Sequence, residues 1–529
     1  MVIDMNLCEK EFDYLDKVML DGPVTLSFQP PPVTIELRPG MKFEDIVQEH
    51  QKQAKDAACR GLTSLLDQVD DHIRTKRERG LFHNGHFETK KILLWCGEAD
   101  YRRRVYTDRE DNTRYLADEL LGLEKAQAVS LDVLLRALTL AGEASYRKVA
   151  SLIENWTGVR RAPETYRRWV LRVGRFIREQ EKAQRFLMFK EPSLLAEDER
   201  KAPEFLFLEA DGCHIFLRDD DAAMDALTAL VTGQSDGEKQ KSVSKKEVYL
   251  GLWYEGKRPR RGTCGNGQWE VTGKTYFGGF GDVEEFWDLA AVLGHMRYGL
   301  GPDTMVLGNG DGGLWIGPRY DDFARHLFVL CRYHWKRDVF RSFPGEEGRK
   351  LIAIVESNEK EKIIKILDEA LLACSEKDAK KSKKITKLKT YLLNQWEEIQ
   401  NYAKLKEFLR GKDPALARVG VIEGHIYQVL YLRFESRGGC WSTDGLNSLF
   451  RVLTAKLNGV LDGLIRSAGW NGLLKTWVPP VKEQAKRKKR VATGCTEGLF
   501  PILQGPIGKP IAQALKSISH PVSPALALR

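Results

Sequence analysis

Two aspartates follow apolar segments and are candidates for metal-dependent chemistry. Residues 203–217 read PEFLFLEADGCHIFL, and the alternation of a β-strand places Glu209 and Asp211 on one face. Residues 305–317 read MVLGNGDGGLWIG, so Asp311 falls in the glycine-rich turn after a second apolar strand. Each aspartate alone is equally typical of a turn. A carboxylate that ends a buried strand is satisfied by a metal ion, a basic partner or solvent, and we expect both aspartates to end their strands.

Glu423 is the third candidate carboxylate. It borders a helical stripe that includes Ile422, Ile426 and Val429, although a solvated helix glutamate fits the same pattern. Three carboxylates without a Cys/His ligand cluster favour Mg²⁺ or Mn²⁺ over zinc. Two such ions, ~3.5–4 Å apart, can activate a water or a 3′-hydroxyl and stabilise the leaving oxygen of a phosphodiester.

Basic residues indicate where DNA would bind. The segments SYRKVASLIENW, TGVRRA and PETYRRWVLRVGRFI predict a helix-turn-helix, with an apolar face opposite a basic one. The residues of the basic face are Arg161, Thr165, Arg168 and Arg172. A helical hairpin with solvated arginines is the alternative. A second basic run, which suits phosphate contacts or a solubilising tail, consists of Lys486, Arg487, Lys488, Lys489 and Arg490.

The elements that must position these residues form an α/β pattern. Three strand-like runs, EFLFLEADGCHIFL, EVYLGLWYEG and KTYFGGF, precede a helix, the strand before Asp311 and a further predicted strand, HLFVLCRYHW. A Lys/Glu/Leu-rich helical stretch then intervenes. The predicted divisions are an N-terminal helical region (1–85), a β-hairpin and connector (86–128), the helix-turn-helix region (129–200), the first part of the α/β domain (201–345), a helical insertion (346–412), the last part of that domain (413–478) and a basic tail (479–529).

Bulk composition is compatible with a nucleic-acid enzyme of the cytosol. The 529 residues are 42% hydrophobic and carry a net charge of +9, which points only weakly to a polyanionic partner. Nine scattered cysteines without a CxxC pair are typical of reduced thiols. No secretory signal and no long apolar span are found, so we expect a soluble protein of the cytosol without a membrane partner.

The order of several motifs resembles a known family. EADGCHI, NGDGGLWI, the CxxH element in LCRYHW, the insertion ending YLLNQWEEIQNY, IEGHI and GGCWSTDG occur in this order between residues 90 and 455. In this respect the chain resembles the ISLre-type insertion-sequence transposases, relatives of the Mutator-like DDE enzymes. The resemblance implies a ribonuclease-H-like catalytic domain with a helical insertion.

The resemblance also assigns roles to residues. Asp211, Asp311 and Glu423 would be the catalytic, metal-binding carboxylates, with Glu435 as the rival for the third position. Cys331 and His334 match the CxxH element and would support the site. Trp396 and Trp441 are candidates for stacking on DNA bases, with a buried core position as the alternative.

The implied function is DNA transposition. The protein would bind the terminal inverted repeats of a mobile element, cleave DNA with two Mg²⁺ or Mn²⁺ ions and join the freed 3′-end to target DNA, as a homo-oligomer associated with the nucleoid. The alternatives are a catalytically inactive, domesticated DNA-binding protein of this fold, or a ribonuclease-H-like nuclease without strand transfer. Strand-transfer products distinguish the last of these.

Overall fold

The computed structural model describes seven stretches of the chain, which are residues 24–77, 82–190, 202–218, 243–260, 269–374, 379–436 and 438–473. They divide into two units. The N-terminal unit comprises the described residues up to 180 together with 448–473, and the central unit comprises Glu181–Asn447. The basic run Lys486–Arg490 lies outside the described residues.

The N-terminal unit combines helices with a small antiparallel sheet. The helix-rich segment before residue 80 forms one long helix, α1 (Phe43–Lys76). The hairpin predicted within residues 86–128 is confirmed and starts slightly earlier, with β1 (His83–Leu94) and β2 (Gly97–Thr107) paired antiparallel and β3 (Thr113–Arg114) added to β2. The helices that follow are α2 (Leu116–Leu120), α3 (Leu131–Ala141), α4 (Tyr146–Thr157) and α5 (Pro163–Lys190).

The helix pair α4–α5 has recognisable end signals. The Ser145 side chain accepts a hydrogen bond from the Lys148 backbone amide at the start of α4. Gly158 ends α4 with a φ of 77°, a left-handed conformation that glycine adopts without strain. Pro163 opens α5, where its missing N–H is not needed. Both helices are therefore where the sequence predicts them, and α5 extends further than the pattern indicates.

A six-stranded mixed sheet is the centre of the central unit. Its elements are β4 (Phe205–Arg218), β5 (Val243–Tyr254), β8 (Thr275–Gly279), β9 (Met305–Gly310), β10 (His326–Leu330) and β11 (Trp441–Ser442). The order is β10-β9-β4-β5-β8, and β11 pairs with β4. The first three strands in chain order pair antiparallel, whereas β9 and β10 run parallel to β4. A separate two-stranded ribbon contains β6 (Gly256–Pro259) and β7 (Trp269–Thr272).

Helices cover the sheet and form the insertion. The helix α6 (Val283–Tyr298) contributes Trp287 and Ala290 to an aromatic core that also contains Trp253 and Tyr320. The helix α7 (Arg332–Ser342) follows β10. The insertion is helical as predicted and comprises α8 (Glu346–Glu356), α9 (Lys360–Leu372), α10 (Ala379–Asn394) and α11 (Trp396–Phe408), which share a core of their own with α7. The chain then forms α12 (Ile422–Ile426), a π-helix (Tyr427–Glu435), α13 (Thr443–Leu457) and α14 (Leu461–Gly472).

Two local predictions are wrong. Asp211 does not end its strand, because β4 continues to Arg218 against β5 after its parallel partner β9 has ended at Gly310. The segment HLFVLCRYHW is not one strand, since β10 ends at Leu330 and α7 begins at Arg332. The change coincides with a change of period, because the buried residues Trp335 and Val339 are four apart, as on a helix face.

Replacing Gly308 would test how tightly β9 packs against Tyr320. A Cβ atom at this position in β9 would lie 2.3 Å from the ring of Tyr320, which is fully buried and whose hydroxyl donates to the Leu208 carbonyl at 2.6 Å. We expect Gly308→Ala to lower the free energy of unfolding by about 1–3 kcal/mol through overpacking. Thermal unfolding followed by circular dichroism measures the loss. Gly281→Ala is the control, because nothing lies within 4 Å of its Cβ; equal melting of the two variants would contradict the expectation.

Candidate active site

Strand register brings Asp211, Asp311 and Cys331 to one level of the sheet. Glu209 pairs with Asn309 across the parallel strands β4 and β9, and Leu330 pairs with Gly310 across β10 and β9. Asp211 and Asp311 each lie two residues after the members of the first pair. Cys331 lies one residue after Leu330 of the second pair, and its amide donates to the Gly310 carbonyl at 2.8 Å. Because neighbouring strands are ~4.8 Å apart and β9 is the middle one, Asp311 lies close to Asp211 on one side and to Cys331 on the other.

Asp211 is a buried acid in an acidic environment. Its side chain is 8% exposed, and its Oδ1 accepts a hydrogen bond from the Gly212 amide at 2.7 Å. Burial, followed by the charges of Glu423 and Asp311, raises the pKa of Asp211 to about 8. The charges of the two other candidate carboxylates therefore act directly on Asp211.

The helical insertion positions Asp311. The Tyr391 hydroxyl on α10 donates to the Asp311 carbonyl at 3.0 Å, and the Gln395 amide donates to the Gly312 carbonyl at 3.3 Å. Gly312 has a φ of +80°, and a Cβ there would lie 2.6 Å from both Gln395 and Leu330. Only glycine suits this close approach. The Asp311 Oδ1 accepts from the Gly313 amide at 2.9 Å, which fixes the carboxylate within the turn.

Glu209 holds the backbone directly before Glu423 in place through hydrogen bonds. Its Oε1 accepts from the Gly420 amide at 3.0 Å and its Oε2 from the Ile422 amide at 2.9 Å. The Tyr254 hydroxyl donates to the same Oε1 at 2.7 Å. The side chain is fully buried, and burial raises its pKa despite these three donors. Glu209, which lies two residues before Asp211 on β4, thus connects that strand to the first turn of α12.

Sequence reasoning placed Glu209 on the strand face of Asp211 but assigned it no role. A glutamate inside a buried strand is a detectable signal, because such a charge needs partners. The two backbone amides that donate to Glu209, those of Gly420 and Ile422, are 211 and 213 residues away in the chain. No local pattern could therefore identify what Glu209 holds.

Glu423 also approaches the CxxH element. Its Oε1 lies 3.1 Å from His334 Nδ1 and 3.9 Å from Cys331 Sγ. The His334 Nδ1 atom is buried and, among the described residues, has this close contact with Glu423 but no hydrogen bond. Among the described residues, the group whose potential metal-ligand atoms all lie within 4.8 Å of one another is Cys331, His334 and Glu423. The three carboxylates do not form such a group.

Donor chemistry indicates which ion the residues fit. Carboxylate oxygens are the ligands of Mg²⁺ and Mn²⁺, and two ions at a shared site do not require all three carboxylates to meet at one point. Zinc would use the Cys331 thiolate, His334 and Glu423, whose potential ligand atoms lie within 4.8 Å of one another. The expectation that the carboxylates come without a Cys/His group is therefore wrong at Glu423, which borders both donor sets, whereas Asp211 and Asp311 offer only the oxygen donors that Mg²⁺ and Mn²⁺ prefer.

Glu435, the rival third carboxylate, lies at a different place. Its Oε1 pairs with the Lys245 ammonium at 3.1 Å, and its Oε2 accepts from Cys213 Sγ at 3.7 Å. Burial and the charge of Glu435 raise the pKa of Cys213 to about 12. Glu423, by contrast, acts on Asp211. The geometry thus favours Glu423 as the partner of the two aspartates.

Contacts within the N-terminal unit involve much of the predicted basic face. Arg161 precedes α5 and forms an ion pair with Glu98. The Arg172 guanidinium lies 4.2 Å from the ring centroid of Trp470, and burial lowers its pKa. Arg168 is exposed near Glu164, and Thr165 is half-buried. The residues thus differ in exposure, and their role in binding DNA stays a prediction.

The two candidate tryptophans have structural contacts. Trp396 is 6% exposed in the insertion core and donates to Asn358 Oδ1 at 2.9 Å. Trp441 donates to the Phe434 carbonyl at 3.0 Å, with the Arg433 guanidinium 4.8 Å from its ring centroid. Trp396 is therefore a core residue. None of the helices in the described stretches is both long and apolar enough to span a membrane.

The fold and site define an α/β protein with a mixed sheet and an acidic group beside its parallel strands. The family described as Uncharacterised protein family (UPF0236) matches residues 36–470, and the chain belongs to that family. A UPF0236 protein of Caldanaerobacter subterraneus subsp. tengcongensis, whose name joins eleven locus tags, is 24% identical over 498 residues, covering 92% of this chain and 93% of the relative. A UPF0236 protein in the vanSb 3′ region of Streptococcus gallolyticus is 23% identical over 434 residues, covering 80% of this chain and 85% of the relative.

Proposed function

We propose that this protein is a DDE-type transposase that cleaves and joins DNA with two divalent metal ions. The observation that carries the proposal is the register of β4 and β9, which places Asp211 and Asp311 at one level of neighbouring strands. Glu423 lies near enough for its charge to raise the pKa of Asp211. Like charges are held together in this way where a cation is to be bound.

The chain order of the site supports a ribonuclease-H-like core. In the resembling family the first aspartate ends the first strand, the second follows the fourth strand and the glutamate comes after the insertion; Asp211 departs from this pattern because it lies within its strand. Asp211 lies in β4, the first strand of the six-stranded sheet, and Asp311 follows β9, the fourth in chain order. Glu423 lies on α12, after the insertion helices. The proposed fold thus agrees with where these elements lie.

Each residue has a defined task in the proposed reaction. Asp211, Asp311 and Glu423 would hold two Mg²⁺ or Mn²⁺ ions, which supply activation of the attacking hydroxyl and stabilisation of the leaving oxygen. Glu209 keeps Glu423 facing Asp211, and Tyr391 keeps the Asp311 turn in place. His334 limits the rotation of Glu423 through its close contact at 3.1 Å.

Repetition within one genome supports a mobile element. One relative's name joins eleven locus tags of a single organism, and a second name from that organism joins four. Multiple near-identical copies are the expected result of transposition. The proposal includes recognition of element ends by the α4–α5 helix pair, a homo-oligomer on DNA and a cytoplasmic location.

The proposal is tested with the full chain and a plasmid that carries the reading frame with its flanking DNA. We expect nicking that requires Mg²⁺ or Mn²⁺, stops with a chelator and is followed by joined products on target DNA. Cleavage without joined products would indicate a nuclease. Salt-sensitive DNA binding without any cleavage would indicate a binding protein of the same fold.

Metal binding has a second readout in thermal stability. An ion that binds only the folded protein stabilises it by ~2.7 kcal/mol at a hundred times its Kd. We expect Mn²⁺ to raise the Tm of the central unit by roughly 5 °C. Asp211→Asn should lose most of this shift and Glu435→Gln should keep it, as followed by differential scanning fluorimetry. An equal shift in both variants would place the ion elsewhere.

A further inference from the structure

A basic and aromatic cavity of about 540 Å³ lies beside α7 in the central unit. Its volume is in the range of pockets that hold small ligands. Long cationic or aromatic side chains from three parts of the chain supply most of its wall. They are Arg332, Tyr333, Arg337 and Phe340 from α7, Tyr402 from α11 and Arg418 from the segment before α12.

The cavity adjoins the proposed active site through both of its walls. On one side, Arg332 directly follows Cys331, the residue at the level of Asp311 in the sheet. On the other side, Arg418 and Val419 directly precede Gly420, whose amide donates to Glu209 at 3.0 Å. A ligand in the cavity would therefore be a neighbour of the carboxylates.

One face of α7 lines the cavity. Arg332, Tyr333, Lys336, Arg337 and Phe340 fall on one side of the helix by their spacing. The buried residues of α7, Trp335 and Val339, lie on an adjacent side, about 110° around the helix by their spacing. The packing of α7 in the core thus forces this set of side chains toward the cavity.

The charge of the cavity is positive. Four of its lining residues are cationic, and none of the described residues that line it is acidic. Lys336 pairs with Glu356 at 2.6 Å and Arg332 with the same carboxylate, while Arg337 pairs with Asp338 at 3.2 Å, so two negative charges face four cations. Arg418 is exposed and has no ion pair with any residue in the described stretches. A ligand with at least one negative charge is therefore favoured.

Aromatic rings in the cavity are open to a ligand. Tyr333 is 59% exposed and Phe340 is 40% exposed, which is unusual for large apolar side chains that have a core nearby. The Arg332 guanidinium lies 4.3 Å from the ring centroid of Tyr402, and that of Arg337 lies 5.5 Å from the ring centroid of Tyr333. Phosphates on arginines and bases on rings are the two contacts that single strands require.

We propose that this cavity binds an unpaired nucleotide of single-stranded DNA next to the cleavage site. The inference rests on the proposed function for its choice of a DNA ligand. A concave site can take one extruded base between aromatic rings, whereas a stacked duplex cannot present a base face there. The cavity thus recognises the strand after its end has separated, independently of base sequence.

The test measures binding of a short fluorescent oligothymidylate by fluorescence anisotropy. The full chain carries Asp311→Asn, so that the DNA is not cut. We expect Tyr333→Ala to weaken binding roughly tenfold and Tyr333→Phe, which keeps the ring, to bind as before. Arg337→Gln and Arg418→Gln should each lower the salt slope of log K by about 0.7. Tyr333→Ala should leave that slope unchanged.

A matched charge control is Arg410→Gln, which removes an exposed arginine paired with Glu407 outside the cavity. It should leave oligothymidylate binding unchanged. Duplex DNA, which the α4–α5 helix pair is proposed to bind, should bind Tyr333→Ala as tightly as the parent protein. Equal weakening of duplex and single-strand binding in Tyr333→Ala would overturn the proposal, as would equal single-strand binding by Tyr333→Ala and Tyr333→Phe. Circular dichroism verifies that each variant is folded.

The two proposals fail in different ways. If the proposed function is wrong, the unsubstituted chain shows no metal-dependent cleavage, yet single-strand binding still depends on Tyr333. If the cavity assignment is wrong, cleavage occurs, but Tyr333→Ala and Arg337→Gln bind oligothymidylate like the parent protein.

Discussion

Asp211→Asn is expected to lower metal-dependent DNA cleavage by ~10³-fold. Loss of a ligand to the ions removes several kcal/mol of transition-state stabilisation, and 1.36 kcal/mol is about a tenfold rate change. Burial and acidic neighbours already raise the pKa of Asp211 to about 8, so an uncharged amide of the same shape should be tolerated in the folded protein. We therefore expect the variant to fold and to bind DNA. Conversion of supercoiled plasmid to nicked circles measures the rate.

Two glutamate variants complete this experiment. Glu423→Gln should match Asp211→Asn, whereas Glu435→Gln should cleave within a few-fold of the unsubstituted chain, because Glu435 is engaged by Lys245 at 3.1 Å. The assignment would fail if Glu435→Gln lost cleavage while Glu423→Gln retained it. Wild-type rates in Asp211→Asn would remove the basis of the whole site.

Glu209→Gln is expected to affect both stability and activity. The glutamine amide group can accept at only one of its two ends, so the amide of either Gly420 or Ile422 would lose its acceptor. An unsatisfied buried donor costs about 1–3 kcal/mol, and we expect Tm to fall accordingly. With the start of α12 released, Glu423 should be held less firmly. The Mn²⁺ concentration for half-maximal cleavage should rise about tenfold.

Two further variants separate positioning from stability. Tyr254→Phe removes the third hydrogen bond to Glu209 and leaves the two backbone contacts intact. It should lower Tm without changing the Mn²⁺ requirement measured well below Tm. Glu204→Gln, an exposed position whose glutamate pairs with Lys412, should change neither quantity. An unchanged Mn²⁺ requirement in Glu209→Gln would reduce Glu209 to a structural residue.

Local periodicity was sufficient to predict most elements that carry the site. The strand character of β4, β5 and β8 follows from apolar and aromatic runs, and the insertion follows from helix formers without strand signal. The position of Asp311 directly after β9 was predicted for the same reason. These features depend on residues that are close in the sequence, so the sequence alone predicts them.

Features that depend on pairing between distant segments could not be predicted. Alternation continues beyond Asp211 without showing where β9 stops beside β4, so the end of the strand was placed too early. The π-helix before Glu435 retains the residue pattern of an α-helix. Arg172 looked solvent-facing by spacing, yet Trp470, almost 300 residues away, lies against its guanidinium. In each case the deciding partner is remote.

The contacts of Glu209 also set the moment at which the site can exist during synthesis. The backbone amides that it accepts from are 211 and 213 residues further along the chain, and the hydroxyl that fixes the Asp311 carbonyl is 80 residues further. Such distant contacts form late, because the intervening chain must fold first. A nascent chain on the ribosome therefore has both aspartates long before it has a closed site. The DNA cleavage proposed for this protein is therefore possible only after most of the chain has been synthesised.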